Sequence, residues 1–587
     1  MGEFACEKVF LSTKKKNRLS HFKTARILYR QVVLERMFYL GKPQQGENYL
    51  HGAMILAVAV AIVRILGALF RIPLGRILED TGMSTFSIAS HIYAVLLTLS
   101  TAGLPVALSK MISAAAALDS EQEVKRVFTV GRNAFLLIGI LSFFVMAFFA
   151  AELARFFGSP SSETAILVLS PAVLFVCLIS AYRGYCQGFS VMIPTSVSQV
   201  IEALSRFVIG LLFAWGLSRR GFSSELTVAG AISGVTVGAF LACVYLFFAR
   251  RKIEAGVRWS KLVRKSKPRR LICKELMQVA IPLTIGASIF SFIHLLDSAI
   301  IMHSLRAILE EQYGQNAEAL AYATAQSLHG TYAMTMPLKN LPSSFIIPIT
   351  VALIPAISAQ LARGDKTLAE QTVASSIRIT ALLSLPAAVG LAVLSAPIMH
   401  LLYAGRFAQQ GAGLMAIMGI SAFFLCLFQV TNSILQAYGF ARYTVYTLTI
   451  GGMIKLFLTW LLVSNASVSI YGAAVSTLVS YVFICILNII LLKRSIPNPP
   501  KLAKLLGKPI FCTGAMGFAA FAVYGLLYGF VGAHMSSQNL QIVISLLGAI
   551  SISAFLYFVL ILFMGALTKE DMQMLPGGKK LANKIFI

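Results

Sequence analysis

The chain has 587 residues, of which 57% are hydrophobic and 12% charged, with a mean hydropathy of +0.79. A soluble domain carries about 25% charged residues, so these numbers exclude a soluble globular protein and require a surface that mostly faces lipid. The formal net charge of +27, from 50 Lys and Arg against 23 Asp and Glu, suits either nucleic acid or the basic loops of a membrane protein, and its distribution along the chain decides which.

Residues 1–50 read as a basic cytoplasmic extension containing KKKNR and the moderately amphipathic HFKTARILYRQVVLERMFYL. No short apolar region with a small-residue cleavage site appears, so this is not a signal peptide. It reads as a surface-lying basic helix or, the preferred reading, as upstream sequence with Met37 as the true start. Fourteen apolar runs follow, each near the 20 residues that a bilayer core requires. They centre on 51–72, 90–112, 128–150, 164–182, 192–217, 226–249, 276–302, 331–359, 373–395, 411–436, 443–463, 469–492, 510–531 and 540–564. With both termini inside, the inner segments hold thirty-six Lys and Arg and the outer loops six, namely Arg76, Arg155, Arg219, Arg220, Arg306 and Arg406. That asymmetry orients the chain in a plasma membrane and makes nucleic acid unnecessary as a partner.

The expected architecture is all-α and polytopic: a six-helix bundle over 51–249, a basic linker over 250–274, a second six-helix bundle over 275–492, a loop over 493–509, two further helices over 510–564 and a tail over 565–587. The linker RRKIEAGVRWSKLVRKSKPRRLICK carries eleven positive charges, which attract anionic lipid. The bundles read as repeats. Gln187, Thr195 and Arg206 superpose on Gln436, Thr444 and Lys455; Pro105 falls on Pro355 and Arg132 near Arg378. Six helices per repeat is even, so the copies share one orientation about an axis along the membrane normal, with a cavity between them.

Charges inside spans mark pathways, because each costs at least about 2.5–3.5 kcal/mol at the bilayer centre. Here they are mostly positive. Arg64 and Arg71 stand seven residues apart, nearly two helical turns, so both can face one space. Arg206 and Lys455 hold equivalent repeat positions, and Lys339 sits in PLKNLP. Together these five form a candidate anion site, with guanidinium forks suited to phosphate; a diphosphate fits the set. Glu202, Asp297 and His294 are candidates for an ion or proton site. The plainer reading pairs Glu202 with Arg206 four residues on and His294 with Asp297, and lets Lys110 snorkel to headgroups. Pro105, Pro194, Pro282, Pro337, Pro342, Pro348, Pro355 and Pro386 fall in spans, where proline permits bending. The eight scattered cysteines form no CxxC pair and read as apolar filler rather than a metal site.

The runs RILGALFRIPLGRILE, LLTLSTAGLPVALSKMISA, YRGYCQGFSVMIPTSVSQVIEALSRFVIG, PLKNLPSSFIIPITVALIPAISAQLA and LSLPAAVGLAVLSAPIMHLLYAGRF resemble the polysaccharide-transporter branch of the multidrug/oligosaccharidyl-lipid/polysaccharide (MOP) flippase superfamily, in particular its sporulation-type and Gram-positive lipid II flippases. The resemblance covers roughly residues 50–565. It implies a flippase for an undecaprenyl-pyrophosphate-linked cell-wall precursor, with first-helix arginines, here Arg64 and Arg71, on the cargo diphosphate. The pattern departs from the Gram-negative branch, which has a double Arg where this chain has Leu97 and Thr98, and an Arg where it has Pro337 with Lys339. The expected partners are a lipid-linked glycan and membrane lipids, with the monomer as the working unit. No cofactor is expected, and coupling falls to membrane potential, H+ or Na+. A drug/cation antiporter of the same superfamily would need acidic residues in the cavity. A membrane glycosyltransferase would need acid/base carboxylates or a metal site, and no HExxH, Walker A or GxSxG motif appears.

Overall fold

The structure, a computed structural model, describes residues 47–566 apart from 102, 258, 260–266, 315–316, 404–405, 497–498, 500–501 and 536. Residues 1–46, which hold nearly all of the expected N-terminal extension, and 567–587 of the tail lie outside the described residues. Every described element is helical. In chain order they are α1 (Glu47–Thr101), α2 (Leu104–Ala117), α3 (Glu121–Phe148), α4 (Ala150–Phe156), α5 (Glu163–Gly188), α6 (Ile193–Ser205), α7 (Leu211–Arg219), α8 (Ser224–Gly256), α9 (Arg269–Tyr313), α10 (Glu318–Ala362), α11 (Lys366–Val393), α12 (Ser395–Leu402), α13 (Arg406–Ala437), α14 (Ala441–Val463), α15 (Tyr471–Ser495), α16 (Leu502–His534) and α17 (Gln538–Phe563). A 3-10 turn at Pro160–Ser162 precedes α5, and a π-turn at Arg206–Gly210 joins α6 to α7.

Among the described residues, twelve helical segments are long and apolar enough to cross a membrane, against fourteen expected from the sequence. The difference has two sources. Residues 62–117, which take in most of α1 with its break at Glu79 and all of α2, count as one 56-residue segment, more than twice the length a bilayer core needs. α10 is not among the twelve and contributes only the short apolar piece Leu353–Ala362. Large apolar side chains face outward along the late helices, among them Phe518, Phe521, Phe555 and Phe563, the last 90% exposed. An apolar exterior of that kind fits lipid.

Local chemistry explains the helix starts. Ser223 Oγ accepts from Leu226 N at 3.4 Å to cap α8, and the Asp365 carboxylate accepts from Leu368 N at 3.0 Å to cap α11, each satisfying an otherwise orphaned N–H. Pro105 and Pro194, expected to bend helix interiors, lie instead in the first turns of α2 and α6, where the missing N–H costs nothing. Pro386 is internal to α11, as are Pro73 to α1 and Pro171 to α5.

One sharp break positions the rest. Inside α1, Glu79 adopts φ 57°, ψ −163°, a conformation that costs a non-glycine residue about 1–3 kcal/mol. The following residues lock it: Asp80 accepts from Thr81 N at 2.8 Å and from the Ser327 hydroxyl of α10. Gly330 of α10 permits this approach, since a Cβ there would lie 1.7 Å from Asp80 O. The largest buried core spans α1, α2, α3, α5, α8, α9 and the first part of α10, and reaches α12 and the starts of α13 and α15 through Met399, Leu414, Met418 and Ala473. A second core joins the latter part of α10 to α11, α13 and α15. α16 and α17 pack on α11 through Leu382, Cys512, Met516 and Tyr557, whose hydroxyl donates to Leu382 O at 2.8 Å.

Candidate functional site

The kink in α1 brings both of its limbs to the wall of one cavity of about 490 Å³. The first limb supplies Arg64, Gly67 and Arg71, and the second Ser87 and His91. α9 adds Phe290, Ser291 and His294; α10 adds Met336, Lys339, Asn340 and Ser343; α13 and α15 close it with Gln429 and Tyr481. The size falls in the range of small-ligand sites.

The lining carries three basic side chains, Arg64, Arg71 and Lys339, and, among the described residues, no carboxylate. Arg64 is exposed, while Arg71 is half-buried with its guanidinium 5.9 Å from the centre of the Phe86 ring. Lys339 is only 2% exposed, and its ammonium lies 5.3 Å from the Tyr481 ring centre. The aromatic face offers that ammonium group partial compensation. Serine hydroxyls and the amides of Asn340 and Gln429 add hydrogen-bond donors.

The remaining site candidates lie elsewhere. Lys455 is buried on α14 and donates to Asp297 of α9 at 2.6 Å. The other Asp297 oxygen accepts from Thr459 at 2.9 Å, and Thr459 pairs with Ser476 at 2.7 Å. Asp297 therefore binds Lys455 and Thr459, not His294, and neither charge of the pair is among the cavity's lining residues. Glu202 pairs with Arg183 at 2.9 Å rather than with Arg206, and Arg183 also donates to Ser198 at 2.9 Å. Arg206 opens the π-turn, with a buried Nε that has no hydrogen-bond partner among the described residues; it too is outside the lining. Lys110 is exposed, but at the middle of α2 rather than at the end of a span.

His294 does face the cavity, but its neighbour is His91, whose ring stacks on it at 6.0 Å. Sequence reasoning passed over His91, Tyr481 and Arg183. The signal for His91 was present as a second histidine within an apolar span; nothing local marks Tyr481 or Arg183.

With this geometry in hand, the similarities to known proteins have a physical meaning. The family model described as polysaccharide biosynthesis protein matches residues 49–360, more than half of the chain, and the MatE model matches 321–461. The chain belongs to the polysaccharide biosynthesis protein family, within the MOP superfamily that also contains the MATE transporters. Three proteins of Bacillus subtilis strain 168 resemble it over nearly their whole lengths. The uncharacterized membrane protein YabM is 26% identical, covering 90% of this chain and 95% of its own. Stage V sporulation protein B is 24% identical, covering 90% and 98%. The lipid II flippase MurJ is 25% identical, covering 87% and 95%. Among solved structures, an inward-facing MATE-family multidrug transporter superposes with a TM-score of 0.62 at 13% identity, covering 74% of this chain and 98% of its own. A lipid II flippase MurJ in an inward closed conformation superposes with 0.61 at 14%, covering 86% and 99%. The fold is that of this superfamily, and the chain is a multi-pass membrane protein of a flippase and transporter family.

Proposed function

We propose that this protein flips an undecaprenyl-pyrophosphate-linked cell-wall precursor, lipid II in the first instance, from the inner to the outer leaflet of the plasma membrane by alternating access. One observation carries the reading: Arg64, Arg71 and Lys339 surround a single cavity whose described lining holds no carboxylate. Such a site suits a diphosphate, with the arginine forks taking oxygens in pairs and Lys339 adding a point charge. The polyprenyl tail stays in lipid. Residues 62–117 are read as two crossings and α10 as one, which gives fourteen in all. Two six-helix bundles related along the membrane normal would then carry α16 and α17 as an appendix, with both termini inside. With the cell interior negative, outward movement of an anion is favoured by about 2.3 kcal/mol per charge per 100 mV, so the membrane potential is the first candidate for coupling, ahead of H+ or Na+, and the monomer is the working unit. The drug/cation antiporter reading is weaker because Glu202 and Asp297, its acidic candidates, are held by Arg183 and Lys455.

The test is growth rescue of cells depleted of their lipid II flippases. Wild type is expected to rescue, and Arg64→Ala to fail at equal membrane abundance. Full rescue by Arg64→Ala would remove this residue from the mechanism, and no rescue by wild type would point to another lipid-linked glycan.

A further inference from the structure

The second limb of α1 and the antiparallel α9 meet along a seam of small polar groups at a heptad spacing. Ser84, His91 and Thr98 stand seven apart on α1, and Thr284, Ser291 and Ser298 stand seven apart on α9. Ser84 Oγ contacts Met302 Sδ at 3.9 Å, His91 Nδ1 bonds Ser298 Oγ at 2.9 Å, and Thr98 Oγ1 bonds Ser291 Oγ at 3.0 Å. Gly103 N, just beyond α1, donates to Thr284 Oγ1 at 3.1 Å. A Cβ on Gly103 would fall 2.1 Å from Ala280 O, so the backbones touch there. Among the described residues no ion pair crosses this seam, in contrast to the Lys455–Asp297 bond between α9 and α14. Hydroxyl contacts between helices in a membrane are individually weak and can break one at a time.

The seam also holds the stacked rings of His91 and His294, 6.0 Å apart with planes at 29°, beside the cavity. The charged and titratable groups facing the pair are Arg71 on α1, His329 and Lys339 on α10, and Lys455 on α14 with its partner Asp297 of α9. Asp297 and Lys455 offset each other, so the groups left facing either imidazole without an acid partner, Arg71 and Lys339, are basic. We propose that the α1–α9 seam is a proton-sensitive clasp: closed while His91 and His294 are neutral, it parts when they become charged, and its parting belongs to the transport cycle. This rests on the transport reading of the cavity for its purpose and on the seam alone for its chemistry.

The experiment places a cysteine pair, Thr98→Cys with Ser291→Cys, across the seam in the full-length protein, with a protease site in the 250–274 linker. After cleavage the halves stay joined only where a disulfide crosses; single-cysteine proteins control for native thiols. Between about pH 8 and about pH 5, the range in which imidazole gains charge, joining in the histidine-containing protein is expected to fall several-fold relative to a His91→Gln, His294→Gln partner at the same pH, a comparison that cancels thiol chemistry. Should the double variant fail to accumulate, His91→Gln alone replaces it, and a smaller fall in the same direction is expected, because His294 remains. Equal yields at every pH would overturn the clasp's proton sensitivity. Oxidising the pair in cells should stop growth rescue and a reductant restore it, whereas undiminished rescue by the oxidised protein would overturn its place in the cycle. The cross-linking arm needs no cargo, so absence of rescue by wild type counts against the lipid II reading and leaves the clasp to be decided by its own result.

Discussion

Lys455 and Asp297 form a buried pair with 5% and 2% exposure, and removing one member leaves the other charge without compensation, a loss of about 3–5 kcal/mol in such pairs. Lys455→Met should therefore lower the thermal unfolding midpoint of the detergent-solubilised protein sharply, while Lys455→Met with Asp297→Asn recovers most of it. Arg64, exposed at the cavity mouth with no acid partner among the described residues, predicts the opposite pattern: Arg64→Ala leaves the midpoint unchanged and removes transport. The sequence already showed that Arg64 and Arg71 share a helical face, because spacing along one helix is local arithmetic. It did not show that Lys455 meets Asp297, 158 positions away, or that Glu202 takes Arg183 over Arg206. A charge four residues along the helix is always near, but which partner wins depends on how separate helices rotate against one another, and no single-chain pattern encodes that rotation.

Helices reveal the same division between local and distant causes. Their apolar character was readable from run lengths, but fourteen expected runs stand against twelve qualifying segments among the described residues, and the break within α1 falls on Glu79 with neither glycine nor proline at the position. It is held by contacts from α10, in particular the Ser327 hydroxyl on Asp80. The close crossing at Gly330 predicts that Gly330→Val, with its Cβ 1.7 Å from Asp80 O, prevents accumulation of folded protein in the membrane. Gly525→Ala, which meets nothing within 4 Å on α16, should be neutral by the same immunoblot. α12 offers a gentler test. Arg76 donates to Leu402 O at 2.6 Å and to Leu401 O, covering the last carbonyls of that short helix, where a cation is favoured by about 0.3–1 kcal/mol. Arg76→Ala should lower the unfolding midpoint by about 1 °C at most, with Arg76→Lys recovering part.

At the scale of the whole molecule, the charge distribution and the cavity make a joint claim. If basic segments stay inside, a cysteine at Phe222, beside Arg219 and Arg220, reacts with an impermeant maleimide added to intact cells, whereas a cysteine at Lys366 reacts only after the membrane is opened; the reverse pattern would invert the proposed direction of transport. The most direct test of the central claim is retention of lipid II by the purified protein in native mass spectrometry, comparing wild type with Arg64→Ala, Arg71→Ala. The account predicts a wild-type complex that the double variant loses while remaining folded. Equal retention by both proteins would contradict it.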